Sequence, residues 1–157
     1  MLPALETIDG TLQVHSSPLL ASLSFPALTT LQVLAVYNDQ SLQSVGFPRL
    51  TALTGNFEFY NDATLADLGA AQLTSIGGRL KVVSNASLAA LDLPVLQTVG
   101  GDFVVRGNAV LPACTAQTIF DRLVDFAGTI VIRDNDSSGC RAEAGLAGPC
   151  AWAGGSA

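Results

Sequence analysis

The sequence predicts a mainly β fold: a right-handed solenoid of five to six coils with one parallel strand wall and a single C-terminal capping helix. Three observations carry that expectation. A short phrase recurs at a fixed period, a pair of alternating apolar residues follows it in every unit, and a small polar residue follows each pair at a constant distance. Phe25-Pro26-Ala27-Leu28, Phe47-Pro48-Arg49-Leu50 and Leu93-Pro94-Val95-Leu96 are versions of the same phrase, and Leu2-Pro3-Ala4-Leu5 opens the chain with it. Phe25 to Phe47 spans 22 residues, Phe47 to Ala70 spans 23, and Ala70 to Leu93 spans 23 again.

The strand pairs come next: Leu12-x-Val14, Leu34-x-Val36, Phe57-x-Phe59, Leu80-x-Val82, Phe103-x-Val105 and, after a longer gap, Ile130-x-Ile132. Alternation of this kind places one face of a short strand inward. Three residues on stands Ser17, Asp39, Asp62, Asn85, Asn108 or Asn135, and three further on, in all but the last unit, stands Leu20, Leu42, Leu65, Leu88 or Leu111. Side chains of the polar column suit hydrogen bonds to the backbone at a tight turn in every coil. One such coil cannot bury its apolar side alone, but stacked coils can, with strands about 4.8 Å apart in a parallel sheet. Gly77-Gly78 and Gly100-Gly101 recur once per coil, which marks a turn rather than a phosphate loop. Between Leu111 and Ile130, Cys114, Ile119, Phe120, Leu123, Val124 and Phe126 fall near helical period up to Gly128, predicting one amphipathic helix over the end of the core.

The phrase L-x-V-x-x-N-x-x-L, then an apolar residue with Pro and Leu, then Ile76-Gly77-Gly78 or Val99-Gly100-Gly101, resembles the receptor L domain. That family is a leucine-rich-repeat-like solenoid of receptor ectodomains, fungal wall proteins and bacterial surface proteins. Asn108-x-x-Leu111-Pro112-x-Cys114, a helix, Gly128 to Ile132, Asn135 and Cys140 are similar to the closing module of its bacterial members. The resemblance covers roughly residues 2–140 and implies a domain at 1–140 with its N-terminal cap missing, followed by a Gly/Ala-rich tail or linker at 141–157. It speaks to the fold and says little about a ligand. The second repeat departs from the pattern, lacking the Gly-Gly and one residue.

All three cysteines, Cys114, Cys140 and Cys150, lie in the closing region. A Cys114–Cys140 bridge would staple that end and contribute roughly 3 kcal/mol in the chain-entropy model. It would imply an oxidising compartment, extracellular or in the cell envelope; the alternative is three buried thiols. Cys150 remains odd, in the tail with Trp152. No compact zinc spacing is present. Seven basic against thirteen acidic residues, a formal charge of −6, is the wrong sign for holding nucleic acid through a general basic field. No apolar run is long enough to span a bilayer, and Met1-Leu2-Pro3 lacks the character of a signal peptide.

Little in the sequence suggests catalysis, and no cofactor or metal is called for. His15 is the only histidine and no nucleophile motif accompanies it. Asp39 and Asp62 would fall on neighbouring coils, as a calcium site or a glycosidase pair requires, but they share their column with Asn85 and Asn108 and so suit turn capping. The sequons at Asn85 and Asn135 are discounted for the same reason.

The outward strand residues form three files. The first is Thr11, Val33, Asn56, Arg79, Asp102, Thr129, and the second is Gln13, Ala35, Glu58, Lys81, Val104, Val131. They predict neighbouring-rung pairs of Arg79 with Asp102 and Glu58 with Lys81. The third, His15, Tyr37, Tyr60, Val83, Arg106, Arg133, holds the only two tyrosines and two adjacent arginines without an intervening acid. Adjacent arginines favour an anion lying across them, and exposed tyrosines make good contact residues. The candidate ligand-binding residues are therefore Tyr37, Tyr60, Arg106 and Arg133. The expected function is non-enzymatic recognition or adhesion at a bacterial surface, with a protein or anionic glycan as partner. The alternatives are a structural spacer in a larger surface protein and, further off, a β-helix-type polysaccharide-degrading enzyme.

Overall fold

The computed structural model describes residues 5–138 and Cys140. In chain order the first strands are β1 (Thr7–His15), β2 (Ser22–Ser24), β3 (Thr30–Tyr37), β4 (Ser44–Gly46), β5 (Ala52–Leu53), β6 (Phe57–Tyr60) and β7 (Asp67–Gly69). Then come β8 (Ser75–Ile76), β9 (Leu80–Val83), β10 (Ala90–Asp92), β11 (Thr98–Val99) and β12 (Phe103–Arg106), followed by α1 (Ala113–Asp121), β13 (Asp125–Phe126) and β14 (Ile130–Arg133). All named pairings are parallel and each joins one coil to the next, which makes a β solenoid of about six turns.

The coils of β5 to β7 and of β8 to β10 each carry three short strands rather than one. The main wall is β1, β3, β6, β9, β12 and β14, and its register pairs Leu34 with Phe57, Phe57 with Leu80, Leu80 with Phe103 and Phe103 with Ile130. A second arm of the same ten-stranded sheet is β5, β8, β11 and β13, and a separate four-stranded sheet is β2, β4, β7 and β10. The wall and its second arm meet at the glycine corner. A Cβ at Gly77 would fall on the Thr54 carbonyl, one at Gly100 on the Gly77 carbonyl, and one at Gly128 on Gly101, so backbone stacks on backbone and side chains are excluded.

The second repeat shows what the corner does. Three residues separate Leu53 from Phe57 and Ile76 from Leu80, but only Gln32 and Val33 separate Leu31 from Leu34. With that residue gone, β3 runs through the corner as one strand, its first half pairing with β5 and its second with β6. β1 keeps its extra residue and accommodates it as an irregularity between Ile8 and Thr11.

The inward columns are buried as expected: Leu34, Val36, Phe57, Phe59, Leu80, Val82, Phe103 and Val105 are all fully covered. The recurring phrase supplies the opposite side of the core through Phe25, Leu28, Phe47, Leu50, Leu73 and Leu96, with Phe25 and Phe47 stacked at 5.8 Å between ring centroids. At the ends of the stack the column is less covered: Leu12, Val14 and Ile132 are only partly buried and Ile130 is 44 % exposed, because β1 and β14 are the outermost strands of the described wall.

The predicted helix is shorter than its apolar period. It ends at Asp121, and Phe126 lies in a strand while Val124 is exposed. The overriding constraint is the coil register: Val124 N–H donates to Gln97 O at 2.8 Å, as Gln97 N–H donates to Thr74 O and Thr74 N–H to Thr51 O. The chain must leave the helix to rejoin that ladder. Ala116 and Ile119 nevertheless pack into the core, and Phe120 meets Phe103 and Phe126 edge-on. Cys114 and Cys140 sit at disulfide distance, with Cα atoms 5.4 Å apart, and tie the start of α1 to the chain beyond β14. Cys150, Trp152 and the tail at 141–157 lie outside the described residues, as do residues 1–4. Among the described residues no helix is long and apolar enough to cross a membrane.

Candidate functional site

Register alone aligns the third outward file. His15 pairs with Tyr37, Tyr37 with Tyr60, Tyr60 with Val83, Val83 with Arg106 and Arg106 with Arg133. The rings of His15 and Tyr37 stack at 5.0 Å, and those of Tyr37 and Tyr60 at 4.8 Å within 1° of parallel. Lys81 Nζ covers the far face of Tyr60, 4.3 Å from the ring centroid.

This stacking decides which parts of the tyrosines a ligand can reach. The inner faces are turned toward each other, so the surface offers ring edges and hydroxyls rather than open aromatic faces. Gln13 Nε2 donates to the Tyr37 hydroxyl. Burial, then the neighbouring Tyr37, holds the Tyr60 hydroxyl above its ordinary pKa, so both factors keep it a neutral hydrogen-bonding group.

Arg106 and Arg133 come together as a register pair, but the aromatic and arginine pairs do not form one continuous strip. Val83, only 6 % exposed, lies between them, and two rungs separate Tyr60 from Arg106, about 9.6 Å at the usual strand spacing. Arg133 makes an exposed contact of 3.6 Å with Asp134, the kind of pair that contributes little. Arg106 has no carboxylate within salt-bridge distance among the described residues.

The neighbouring-rung ion pairs expected in the other two files are replaced by different partners. Arg79 Nε donates to Glu58 Oε1 at 2.6 Å, diagonally across the two files, and Asn56 Nδ2 reaches the same oxygen at 3.1 Å. Asp102 accepts the backbone N–H of Thr129 at 2.9 Å and its hydroxyl at 2.8 Å, which holds its carboxyl below the usual range. These bonds explain the exchange: Glu58 and Asp102 are taken up at the corner, and Lys81 turns to Tyr60. The cations left on the wall surface are therefore Lys81, Arg106 and Arg133.

Asp39 and Asp62 do lie on neighbouring coils, fully buried, but each is part of a ladder. Asp39 Oδ1 accepts Ser17 N–H at 2.6 Å and Asp62 Oδ1 accepts Asp39 N–H at 2.9 Å. The series continues through Asn85, Asn108 and Asn135, which accept from Asp62, Asn85 and Asn108 at 3.0, 3.0 and 3.2 Å. The column thus ties each turn to the turn before it, across coils rather than within its own turn. Asn85 is fully buried with both ends of its amide bonded, so its sequon is not presented to solvent. Among the described residues no three His, Cys, Asp or Glu side chains gather as a metal would require.

A further column went unnoticed in the sequence. Ser16, Asn38, Asn61, Ser84, Gly107 and Asp134 all adopt positive φ between 51° and 68°, one per coil, immediately before the ladder residue. Its signal was the run of small and polar residues at that position, the types that enter the left-handed region most readily. Compared with known proteins, the chain matches no family model, no curated sequence and no solved structure.

Proposed function

We propose that the chain is a non-enzymatic recognition module, resembling the receptor L domain, that works at a bacterial cell surface and binds an anionic ligand through its main strand wall. The observation that carries this reading is the Arg106–Arg133 register pair, on neighbouring rungs of the wall and one file away from Lys81. Three cations face outward there in a chain of net charge −6. Carboxylate, sulfate or phosphate groups bridging the arginines relieve their repulsion and gain charge-assisted hydrogen bonds. The tyrosine pair adds hydroxyls and ring edges, which suit an acidic protein surface or the hydroxyls of an acidic glycan better than they suit sugar rings seeking an open aromatic face. The Cys114–Cys140 pair is consistent with export to an oxidising compartment.

The test is an array of acidic, neutral and amino polysaccharides and acidic peptides, read for binding and for released product. The expected binders are anionic, and their affinity falls with salt, because exposed charges are screened over about 8 Å at physiological ionic strength. Arg106→Ala combined with Arg133→Ala is expected to abolish binding without lowering the melting temperature. Binding that survives the double change moves the contact surface elsewhere. Product formation makes the chain an enzyme, and a wall that is silent to every probe makes it a spacer.

A further inference from the structure

The turn ladder changes chemistry part-way along the solenoid. In Asn85, Asn108 and Asn135 both ends of the amide are used: Oδ1 accepts from the preceding turn, and Nδ2 donates to a strand carbonyl, Phe59 O at 3.2 Å, Val82 O at 3.0 Å and Val105 O at 2.9 Å. Phe59, Val82 and Val105 are register partners, and the next member of their file toward the N-terminus is Val36. The Val36 carbonyl is therefore the equivalent acceptor for the second oxygen of Asp62. That oxygen, Oδ2, is buried and has no hydrogen-bond partner among the described residues, and the same holds for Oδ2 of Asp39 on the preceding coil. An ionised carboxylate would set two acceptors against each other there, at the cost of a buried, unsatisfied charge.

We infer that Asp62 is a buried proton-binding site: a proton on Oδ2 makes the carboxyl the hydrogen-bonding equivalent of the Asn85 amide, donating to the Val36 carbonyl while Oδ1 continues to accept the Asp39 N–H. The surroundings favour the neutral form. The titratable groups facing Asp62 are Asp39 on the preceding coil and Tyr60 at the end of β6, two residues before it, and the following coil presents uncharged Asn85. None of these is a cation, and Arg79 and Lys81 are engaged with Glu58 and the Tyr60 ring on the outer face. Burial raises the Asp62 pKa from 3.8 to about 7; the Asp39 N–H opposes the rise and the Asp39 charge adds to it.

Because the folded pKa lies above the unfolded one, the folded chain holds the extra proton between them. Its stabilisation is complete below about pH 4, declines as pH rises, and is lost above about pH 7. The device therefore tightens the N-terminal coils in mildly acidic surroundings and loosens them in alkaline ones.

Urea unfolding of the full chain between about pH 4 and about pH 8, wild type against Asp62→Asn, tests this. The variant supplies the missing N–H at every pH. The ratio of wild-type to variant unfolding constants is therefore expected to rise with pH by at least tenfold, with a ceiling of about a thousandfold set by the displacement of the pKa. A ratio that stays flat overturns the inference. So does stabilisation of the wild type by added calcium or sodium that Asp62→Asn removes, since a cation would then be the partner. Should the variant not fold, infrared spectra of the wild type at about pH 6, where ordinary carboxyls are ionised, decide the matter. A protonated-carboxyl stretch that persists in Asp39→Asn supports the site, and one that Asp39→Asn removes, or no such stretch at all, overturns it.

Discussion

Coils built on Asn85 and Asn108 turn their corner at paired glycines and tie each turn to the last with an amide, whereas the coil built on Asp39 runs one strand through the corner and ties with a carboxylate. The two regions share a core of the same inward columns and the same left-handed residue before each ladder position. The difference is thus confined to the corner and the tie. A solenoid needs a donor and an acceptor at every turn, and asparagine provides both at any pH, while aspartate provides both only when protonated.

The largest expected effect tests whether the core really is common to both regions. Phe57→Ala and Phe103→Ala, one on each side of the changeover, are each expected to cost about 3–5 kcal/mol in denaturant melts, since both side chains are fully buried in one column. A much smaller loss at either would mean that the regions differ in packing as well as in their ties. Next comes a transplant. Asn108→Asp places the carboxylate chemistry in the amide region, where the Val82 carbonyl loses the Asn108 Nδ2 donor. A loss of roughly 1–3 kcal/mol is expected in alkaline buffer, as for a buried polar group left unpaired. The loss is expected to shrink as pH falls, because protonation restores a donor. Equal melts for wild type and variant at high pH would break the comparison. The smallest effect is on the wall surface: Lys81→Ala is expected to cost under about 0.5 kcal/mol, since its ammonium only covers the exposed side of Tyr60.

The period, the inward columns and most of the three outward files were legible in the sequence because each repeats with a side-chain preference strong enough to survive from unit to unit, although Glu58 and Val83, read as outward, are buried. Leu34, Phe57, Leu80 and Phe103 align in the structure as their spacing requires. The additional short strands outside the main wall were not legible. Stretches such as Ala52-Leu53 and Thr98-Val99 are too short to show alternation, and only stacking gives them partners. The end of α1 was misplaced because Leu123, Val124 and Phe126 keep helical spacing while the backbone bond from Val124 to Gln97 demands a coil. Within the candidate site, alignment of Tyr37 with Tyr60 and Arg106 with Arg133 followed from counting. The partners of Glu58 and Asp102 did not, since a side chain's choice among neighbours of similar reach depends on the corner geometry.

The missing residue of the second repeat has a consequence for how such a chain changes length. The deletion falls between Leu31 and Leu34, and the pairing of Leu34 with Phe57 resumes in phase immediately afterwards. The corner acts as an expansion joint: a residue lost there alters the local bend without rotating any downstream face. Larger changes then come in whole units, each duplication or loss of a coil adding or removing one rung of about 4.8 Å. Evolution, or a protein engineer, can thus set the span of the wall in discrete steps while every file on it keeps its alignment.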